Sequence, residues 1–311
     1  MHRRTVLQCL ASAAAAPLMA RVAQASSTPP LWKTAIGLNG FMSSSHDYGK
    51  TYPLWEILDF ADRTGFDGVE LVEGWPMGSY PRADEADRIR ALKRLYDGFD
   101  LQIFSLQLGV AAAFDPDAEV RREWVRSFRD WASFAKQVGC DCIGMWPGGP
   151  LRGQTIDQAI DRLAESFREA GKISGDLGLL AAFEIEPPFV FNEEGHISRI
   201  LEKVDSPHLK TIFDPSHFDL MSGSRGKPHE MLQRIGVRNI GYVHFTDCDG
   251  TIHDGTSKHL ACGDGHVDIP AALKTLRDGG FRGWIMVDAW KIKDPYDACR
   301  KAKQAIDRAM A

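Results

Sequence analysis

"TIFDPSHFDL", residues 211–220, is the stretch on which the reading of the fold turns. Thr211-Ile212-Phe213 is β-branched and aromatic and reads as the end of a buried strand. The run then stops at Asp214-Pro215-Ser216-His217. Pro215 has no backbone N–H and biases Asp214 toward extended geometry, so the strand carries the acid at its tip and turns directly after it. In a continuing strand, residues three apart face opposite sides, but across such a turn Asp214 and His217 can converge on one point. An acid and an imidazole at a strand tip are what a parallel α/β fold places at its functional rim.

Outward from this strand the same unit repeats along the chain. Apolar runs that read as strands are Ala35–Met42, Gly68–Val72, Leu101–Leu108, Cys142–Trp146, Leu179–Glu186, Leu209–Phe213, Gly241–Phe245 and Trp284–Val287. Amphipathic stretches follow them at Leu54–Thr64, Asp84–Asp97, Glu119–Val138, Ile156–Ser174, Ile197–Val204, Met231–Ile235, Ile269–Asp278 and Tyr296–Met310. Glycines at 65, 68, 139, 175, 178, 279, 280 and 283 stand where a helix must end and a strand begin. Strands alternating with helices imply a parallel sheet with right-handed crossovers. Eight such units in residues 26–311 predict an α/β fold, a single-domain (β/α)8 TIM barrel, a fold of typically ~250 residues. The rival doubly wound sheet needs a Gly-rich phosphate loop after its first strand, and "LNGFMSSSHDYGK" (38–50) has no G-x-G-x-x-G.

Composition agrees. Of 311 residues, 44% are hydrophobic and 25% charged, enough apolar material for a large core. The net charge of −5 and the absence of a Lys/Arg block beyond short pairs exclude a phosphate-backbone footprint, so no nucleic-acid partner is expected. Residues 1–25 have a basic start with Arg3-Arg4, an apolar stretch from Val6 to Ala20 and a small-residue Ala23-Gln24-Ala25 site. This layout predicts an export signal of the twin-arginine type, a periplasmic protein, and no stable membrane insertion once the signal is removed. Past the signal lie five cysteines without a zinc-ribbon spacing, and Cys140 and Cys142 read as buried strand thiols.

A TIM barrel builds its site at the C-terminal ends of its strands. In "LLAAFEIEPP" period-two alternation puts Ala182, Glu184 and Glu186 on one face, with Glu186 at the mouth. The sixth strand ends at Asp214, the seventh near His244 and Asp247, and the eighth at Asp288. Taken singly, each acid reads as a loop cap or ion-pair partner, and His244 as a hydrogen-bonded core histidine. Together at one rim, carboxylates would repel one another and raise their own pKa values, and a divalent cation is the simplest remedy. Three acids and an imidazole suit manganese, magnesium, cobalt or zinc. Trp75, Trp146 and Trp290 follow strands and are placed to stack on a sugar ring or to pack the rim. Glu73 and Gln107 are placed to bind hydroxyls. His253 and His266 read as solvated loop residues.

The motifs "GFDGVEL" (65–71), Glu186-Pro187, "FDPSHF" (213–218), "VHFTD" (243–247), "HLACGDGHVDI" (259–269) and "GFRGWIMVDAW" (280–290) occur in an order and spacing that resemble one superfamily. It is the sugar phosphate isomerases/epimerases, the xylose isomerase-like TIM barrels that include the tagatose/psicose 3-epimerases and the endonuclease IV type of AP endonuclease. The resemblance covers the chain beyond the signal. It implies one divalent metal ion held by Glu186, Asp214, His244 and Asp288, with His217 touching substrate or metal. Lys258 and His259 would lie in the loop that closes over the site, with Trp146, Glu73 and Lys258 on the substrate. It also implies that the strand-five and strand-eight carboxylates, Glu186 and Asp288, are the two opposed bases of an enediolate mechanism. The last metal position is normally Glu in this superfamily, and Asp288 reaches roughly 1.5 Å less far.

The expectation is a metal-dependent isomerase or epimerase of a sugar or sugar-like polyol, with a small carbohydrate as its partner and an oligomer compatible with the sequence. Two alternatives share the barrel: a metal-assisted lyase or hydrolase of keto-sugars or glycosides, and a non-catalytic sugar-binding module.

Overall fold

Eight parallel strands close into a barrel in this protein, whose structure is a computed structural model describing residues 31–72, 74–221 and 227–311. The leader expected at residues 1–25 and Glu73 lie outside the described residues. The strands in chain order are β1 (Lys33–Gly37), β2 (Gly68–Val72), β3 (Gln102–Gly109), β4 (Cys142–Trp146), β5 (Leu180–Phe183), β6 (Leu209–Phe213), β7 (Ile240–Phe245), β8 (Asp247–His253), β9 (Thr256–Leu260) and β10 (Trp284–Val287). The barrel runs β1-β10-β7-β6-β5-β4-β3-β2, while among the described residues β8 and β9 pair only with each other as an antiparallel hairpin. The (β/α)8 expectation therefore holds, and the hairpin is an addition to it.

The helices are α1 (Leu38–Tyr48), α2 (Leu54–Thr64), α3 (Ala86–Asp97), α4 (Ala118–Val138), α5 (Ile156–Leu177), α6 (Glu194–Val204), α7 (Pro215–Leu220), α8 (Pro228–Ile235), α9 (Ile269–Asp278) and α10 (Pro295–Met310). The outer ones form for local reasons. In α5, buried Ala159, Ile160, Leu163, Ala164 and Phe167 recur at helical spacing, Thr155 and Gln158 make a reciprocal capping box, and Gly178 ends the helix at φ 66°. At the opening motif, Asp214 is extended (φ −114°, ψ 112°), Pro215 occupies the first helical position of α7, and the Asp214 side chain accepts the Ser216 N–H.

The first strand is shorter than the sequence suggested. It ends at Gly37, and Leu38–Tyr48 is helical rather than extended to Met42. Leu38, Asn39, Gly40, Phe41, Met42, Ser43 and Ser44 are all buried, so the helix shows no polar face early on and its apolar run is indistinguishable from a buried strand by periodicity. Gly40 packs so close to Ala289 that a Cβ there would overlap it, which seats α1 against the exit of β10.

Inside the barrel, Ala35, Phe104, Cys142, Ala182, Ile212, Tyr242, Trp284 and Met286 form one apolar cluster, with Phe104 stacked on Trp284 at 4.5 Å. Because inward positions recur every second residue, the next layer toward the C-terminal mouth is set two residues further along each strand. Above Ala182, Ile212, Tyr242 and Met286 stand Glu184, Asp214, His244 and Asp288. A dry plug thus carries a polar layer on its upper face.

Gly144 on β4 leaves room for the Tyr242 hydroxyl, which a Cβ would overlap. Tyr242 in turn donates to Glu70 at 2.7 Å. Gly144→Ala should therefore lower stability by about 1–3 kcal/mol through overpacking, read as a lowered midpoint in thermal or urea unfolding. An unchanged midpoint would mean that Tyr242 is not fixed by this gap.

Candidate metal centre

The polar layer is built from carboxylates that each have one oxygen occupied and one left facing the centre. Glu184 Oε2 accepts from Gln107 Nε2 at 2.6 Å, while Oε1 lies 2.7 Å from His244 Nδ1. Asp214 Oδ1 accepts from the Ser216 N–H at 2.7 Å and the Ser216 hydroxyl at 2.8 Å, and its Oδ2 is buried with no hydrogen-bond partner. Asp288 Oδ1 accepts from Asn39 Nδ2 and the Trp290 N–H, both at 2.9 Å, while Oδ2 stands 3.7 Å from His244 Nδ1 and 3.8 Å from His259 Nε2. The tied oxygens fix each carboxylate's orientation, and the other oxygen of each faces an imidazole.

Imidazoles fill the gaps. His244 is fully buried and sits between two acids, its Nε2 3.0 Å from Glu70 Oε2 on β2. Burial alone would push its pKa down, but Glu184 and Glu70 overcome this and hold it well above the usual range. His217 Nε2 is 3.8 Å from both Glu184 Oε1 and Asp214 Oδ2. Burial, reinforced by His259 and His244, keeps His217 well below the ordinary value and so neutral. His259 Nε2 is 3.8 Å from Asp214 Oδ2 and, like it, buried without a hydrogen-bond partner. Burial pushes the Asp214 carboxyl up to about 7 against the pull of His259.

This donor set fits a divalent cation. Buried polar atoms are nearly always paired, and here a carboxylate oxygen and an imidazole nitrogen face each other across 3.8 Å with neither paired. Glu184, Asp214 and His244 offer ligand atoms all within 4.8 Å of one another, as do Asp214, His217 and His259. Mixed carboxylate and imidazole donors suit manganese, cobalt or zinc. Glu70 is the outer partner that orients His244, the usual arrangement for a metal-ligating histidine.

The layer opens into a cleft of about 330 Å³ lined by Trp146, Phe189, Trp290, Gln107, Glu186 and Lys291 among others. Trp146 meets Phe189 edge-on with ring centroids 4.9 Å apart, so one wall is aromatic. Glu186 lines this cleft; burial, with Glu184 adding, pushes its carboxyl up to about 8.

The sequence reading gave Glu186 the strand-five place in the ligand cluster, but Glu184 is the carboxylate in contact with His244. The two share a face, and β5 ends at Phe183, so only Glu184 lies in the layer above Ala182. Counting two residues on from the interior cluster would have separated them. Lys258 was expected on the substrate; its ammonium instead pairs with Asp249 at 2.6 Å and is absent from the cleft wall. Along β9, Ser257 and His259 are buried and Lys258 is turned the other way, as strand alternation requires. Trp146 and Trp290 line the cleft and Trp75 does not. Asp247 caps the loop that follows the hairpin, accepting N–H groups from Cys248, Gly263, Gly265 and Val267. His253 and His266 are exposed, the latter 2.8 Å from Asp219. The five cysteines beyond residue 31, Cys140 and Cys142 included, are unbridged. Glu70, Asn39, Ser257 and Lys291 were not read as site residues at all.

The family described as the xylose isomerase-like TIM barrel matches residues 58–310. The inosose dehydratase of Geobacillus kaustophilus is 24% identical over 247 residues, covering 70% of this chain and 78% of that protein. Among solved structures, the IolI protein with a bound zinc atom superimposes with a TM-score of 0.71 at 18% identity, covering 89% of this chain and 96% of that one. A D-tagatose 3-epimerase-like protein gives 0.70 at 21% identity, covering 89% and 98%. The structural likenesses are likenesses of fold.

Glu70→Gln tests the outer partner. The new amide would donate to His244 Nε2 and force the imidazole proton onto Nδ1, the nitrogen that faces the cluster. Affinity for Mn2+ or Zn2+ should fall by roughly 10–100-fold, measured by competition with a chelating dye, with the far-UV spectrum unchanged. Full affinity would show that His244 does not bind through Nδ1.

Proposed function

Because the chain belongs to the xylose isomerase-like TIM barrel family, we propose that it is a divalent-metal-dependent enzyme that shifts the proton beside the carbonyl of a sugar or sugar-like polyol, as an isomerase or epimerase. One observation carries this reading: Glu184 Oε1, Asp214 Oδ2 and Asp288 Oδ2 face the imidazoles of His244 and His259 at the foot of a cleft with an aromatic wall. Glu184, Asp214, His244 and Asp288 would hold the ion. Bound there, a divalent cation supplies Lewis-acid polarisation of a carbonyl oxygen, which acidifies the neighbouring C–H.

The chain's own groups account for the remainder. The Trp146 and Trp290 faces suit the C–H face of a sugar ring, and Gln107 and Lys291 border the cleft as donors to hydroxyls. His217 presents a neutral imidazole between Glu184 and Asp214. Glu186 stands in the cleft outside the ligand cluster, and a carboxyl held near 8 by burial is matched to taking up or giving a proton near neutral pH. Asp288 supports a second base only through Oδ2, since Asn39 and Trp290 occupy Oδ1.

That last point favours a second reading. Epimerisation needs proton transfer on both faces, whereas elimination can use one carboxyl that takes the α-proton and returns it to a departing β-hydroxyl. Of the carboxylates lining the cleft among the described residues, Glu184 and Asp288 belong to the cluster and Asp254 pairs with Lys291 at 2.8 Å, which leaves Glu186. The similarity to an inosose dehydratase supports this lyase alternative. We further propose from the basic-then-apolar pattern of residues 1–25 that the protein is exported from the cytoplasm; cell fractionation with N-terminal sequencing checks this, and an unprocessed cytoplasmic product would overturn it.

Incubation of the Mn2+-loaded protein with ketoses and keto-polyols in 2H2O is expected to give solvent deuterium at the α-carbon. Exchange with retained carbon-oxygen bonds marks an isomerase or epimerase, and loss of water marks a lyase. Glu186→Gln should lower turnover by roughly 10²–10⁴-fold and leave Mn2+ content intact, whereas His244→Ala should lose the metal as well. No exchange or turnover across the panel with full metal loading would leave the barrel a binding module and overturn the proposal.

A further inference from the structure

The hairpin β8–β9 carries an imidazole into the metal cluster, and the hydrogen bonds around it determine which nitrogen is bare. His259 Nδ1 lies 2.8 Å from the Ser257 carbonyl oxygen, which can only accept, so the imidazole proton sits on Nδ1 and a neutral His259 shows a lone pair at Nε2. A second chain of bonds reaches the same result at His217. The Ser216 hydroxyl donates to Asp214 Oδ1 at 2.8 Å, so the 2.8 Å bond between Ser216 and Ser257 has the Ser257 hydroxyl as donor. The Ser257 oxygen can then only accept at 3.0 Å from His217 Nδ1. Ser257 thus turns both imidazoles with Nε2 toward the centre.

The lone pair of His259 Nε2 then stands 3.8 Å from both Asp214 Oδ2 and Asp288 Oδ2, and His259 Nε2 and Asp214 Oδ2 have no hydrogen-bond partner. A hydrogen bond between such atoms would draw them to about 2.7–3.2 Å. Two donors about 2.1 Å from a common centre and 109–120° apart stand about 3.4–3.6 Å from each other. The observed 3.8 Å is too long for a hydrogen bond and lies close to the spacing of donors around a cation. Asp288 also has the shortest acidic side chain available, and the imidazole stands beside its free oxygen.

We propose that His259 is a further ligand of the divalent ion, with Ser257 as its positioning residue, so that the ion latches the β8–β9 hairpin over the barrel mouth. This rests on the metal-dependent reading above. Among the described residues the hairpin pairs with no other strand. Isolated two-stranded hairpins are marginally stable, so a bond from its inner face to the barrel centre has a large effect on its order.

Hydrogen exchange of the full chain with and without Mn2+ tests the latch. Mn2+ is expected to slow exchange across residues 247–260 in the wild-type protein and to leave that segment unprotected in His259→Ala, whose Mn2+ affinity should fall by more than the roughly 10–100-fold typical of an outer partner. Ser257→Ala, which keeps the carbonyl but frees His217, should retain the Mn2+-dependent slowing. If wild-type protein takes up no Mn2+, Zn2+ or Co2+, the metal reading itself fails. Uptake without slowing, or His259→Ala with wild-type Mn2+ affinity, overturns the latch alone. Pulsed electron paramagnetic resonance of the Cu2+-loaded wild type needs no variant: more than one coordinated imidazole is expected, and a single one overturns the assignment.

Discussion

Convergence of carboxylates in a buried place is the constraint from which the arrangement of this barrel follows. Glu70, Glu184, Asp214 and Asp288 are each 5% exposed or less, and ionised carboxylates so placed lose hydration and repel one another. The structure meets half of that cost with neutral donors. Tyr242 serves Glu70, Gln107 serves Glu184, Ser216 serves Asp214, and Asn39 with the Trp290 N–H serves Asp288. The other half is met at the centre, where one oxygen of each inner carboxylate faces imidazoles. Tying one oxygen and turning the other inward gives the carboxylates a geometry suited to monodentate binding of a cation.

The donors that do the tying explain features of the fold that barrel geometry alone does not require. Helix α1 begins directly after β1, which brings Asn39 across to Asp288, and the tight seat of Gly40 on Ala289 keeps it there. Pro215 at the start of α7 turns the chain so that Ser216 reaches back to Asp214. Gly144 clears a space for the Tyr242 hydroxyl, and Tyr242 holds Glu70 against His244. Small or backbone-constrained residues one layer out therefore govern the position of charged groups at the centre. Their substitution acts on the site through orientation, without touching it.

Much of this was legible in the sequence because the barrel writes one rule many times. Eight apolar runs, each followed by an amphipathic stretch, give the closed sheet, and acids at strand ends give the rim. Where the reading went astray, two periodicities competed or a long-range partner decided. Leu38–Ser44 is buried on every side, so helix and strand look alike there. Glu184 and Glu186 share a parity, and only the level of the interior cluster, set by neighbouring strands, separates them. Asn39 and Glu70 act across 249 and 174 residues of chain, a distance over which no local pattern speaks. The hairpin was a different kind of miss. Asp254-Gly255 between two polar runs is a strong two-residue turn, both residues have positive φ (49° and 87°), and strand alternation from it turns His259 inward and Lys258 outward.

Asp288 and His259 are then best understood together. A glutamate at the tip of β10 would extend a carboxylate into the centre from the barrel wall; the aspartate stops short, with Oδ1 held by Asn39 and Trp290. The hairpin places His259 Nε2 beside the remaining oxygen, so under the latch proposal wall and hairpin would share a ligand position that the wall alone could otherwise fill. The exchange has a chemical consequence. A carboxylate shortened and pinned on one oxygen is a poor mobile base, while an imidazole from the hairpin ties coordination to closure of the mouth. Under the proposed function, proton transfer would fall to Glu186, which stands in the cleft outside the cluster. If the latch proposal holds, an aspartate at residue 288 would suit one base beside a latched hairpin better than two opposed bases, the arrangement that the lyase alternative requires.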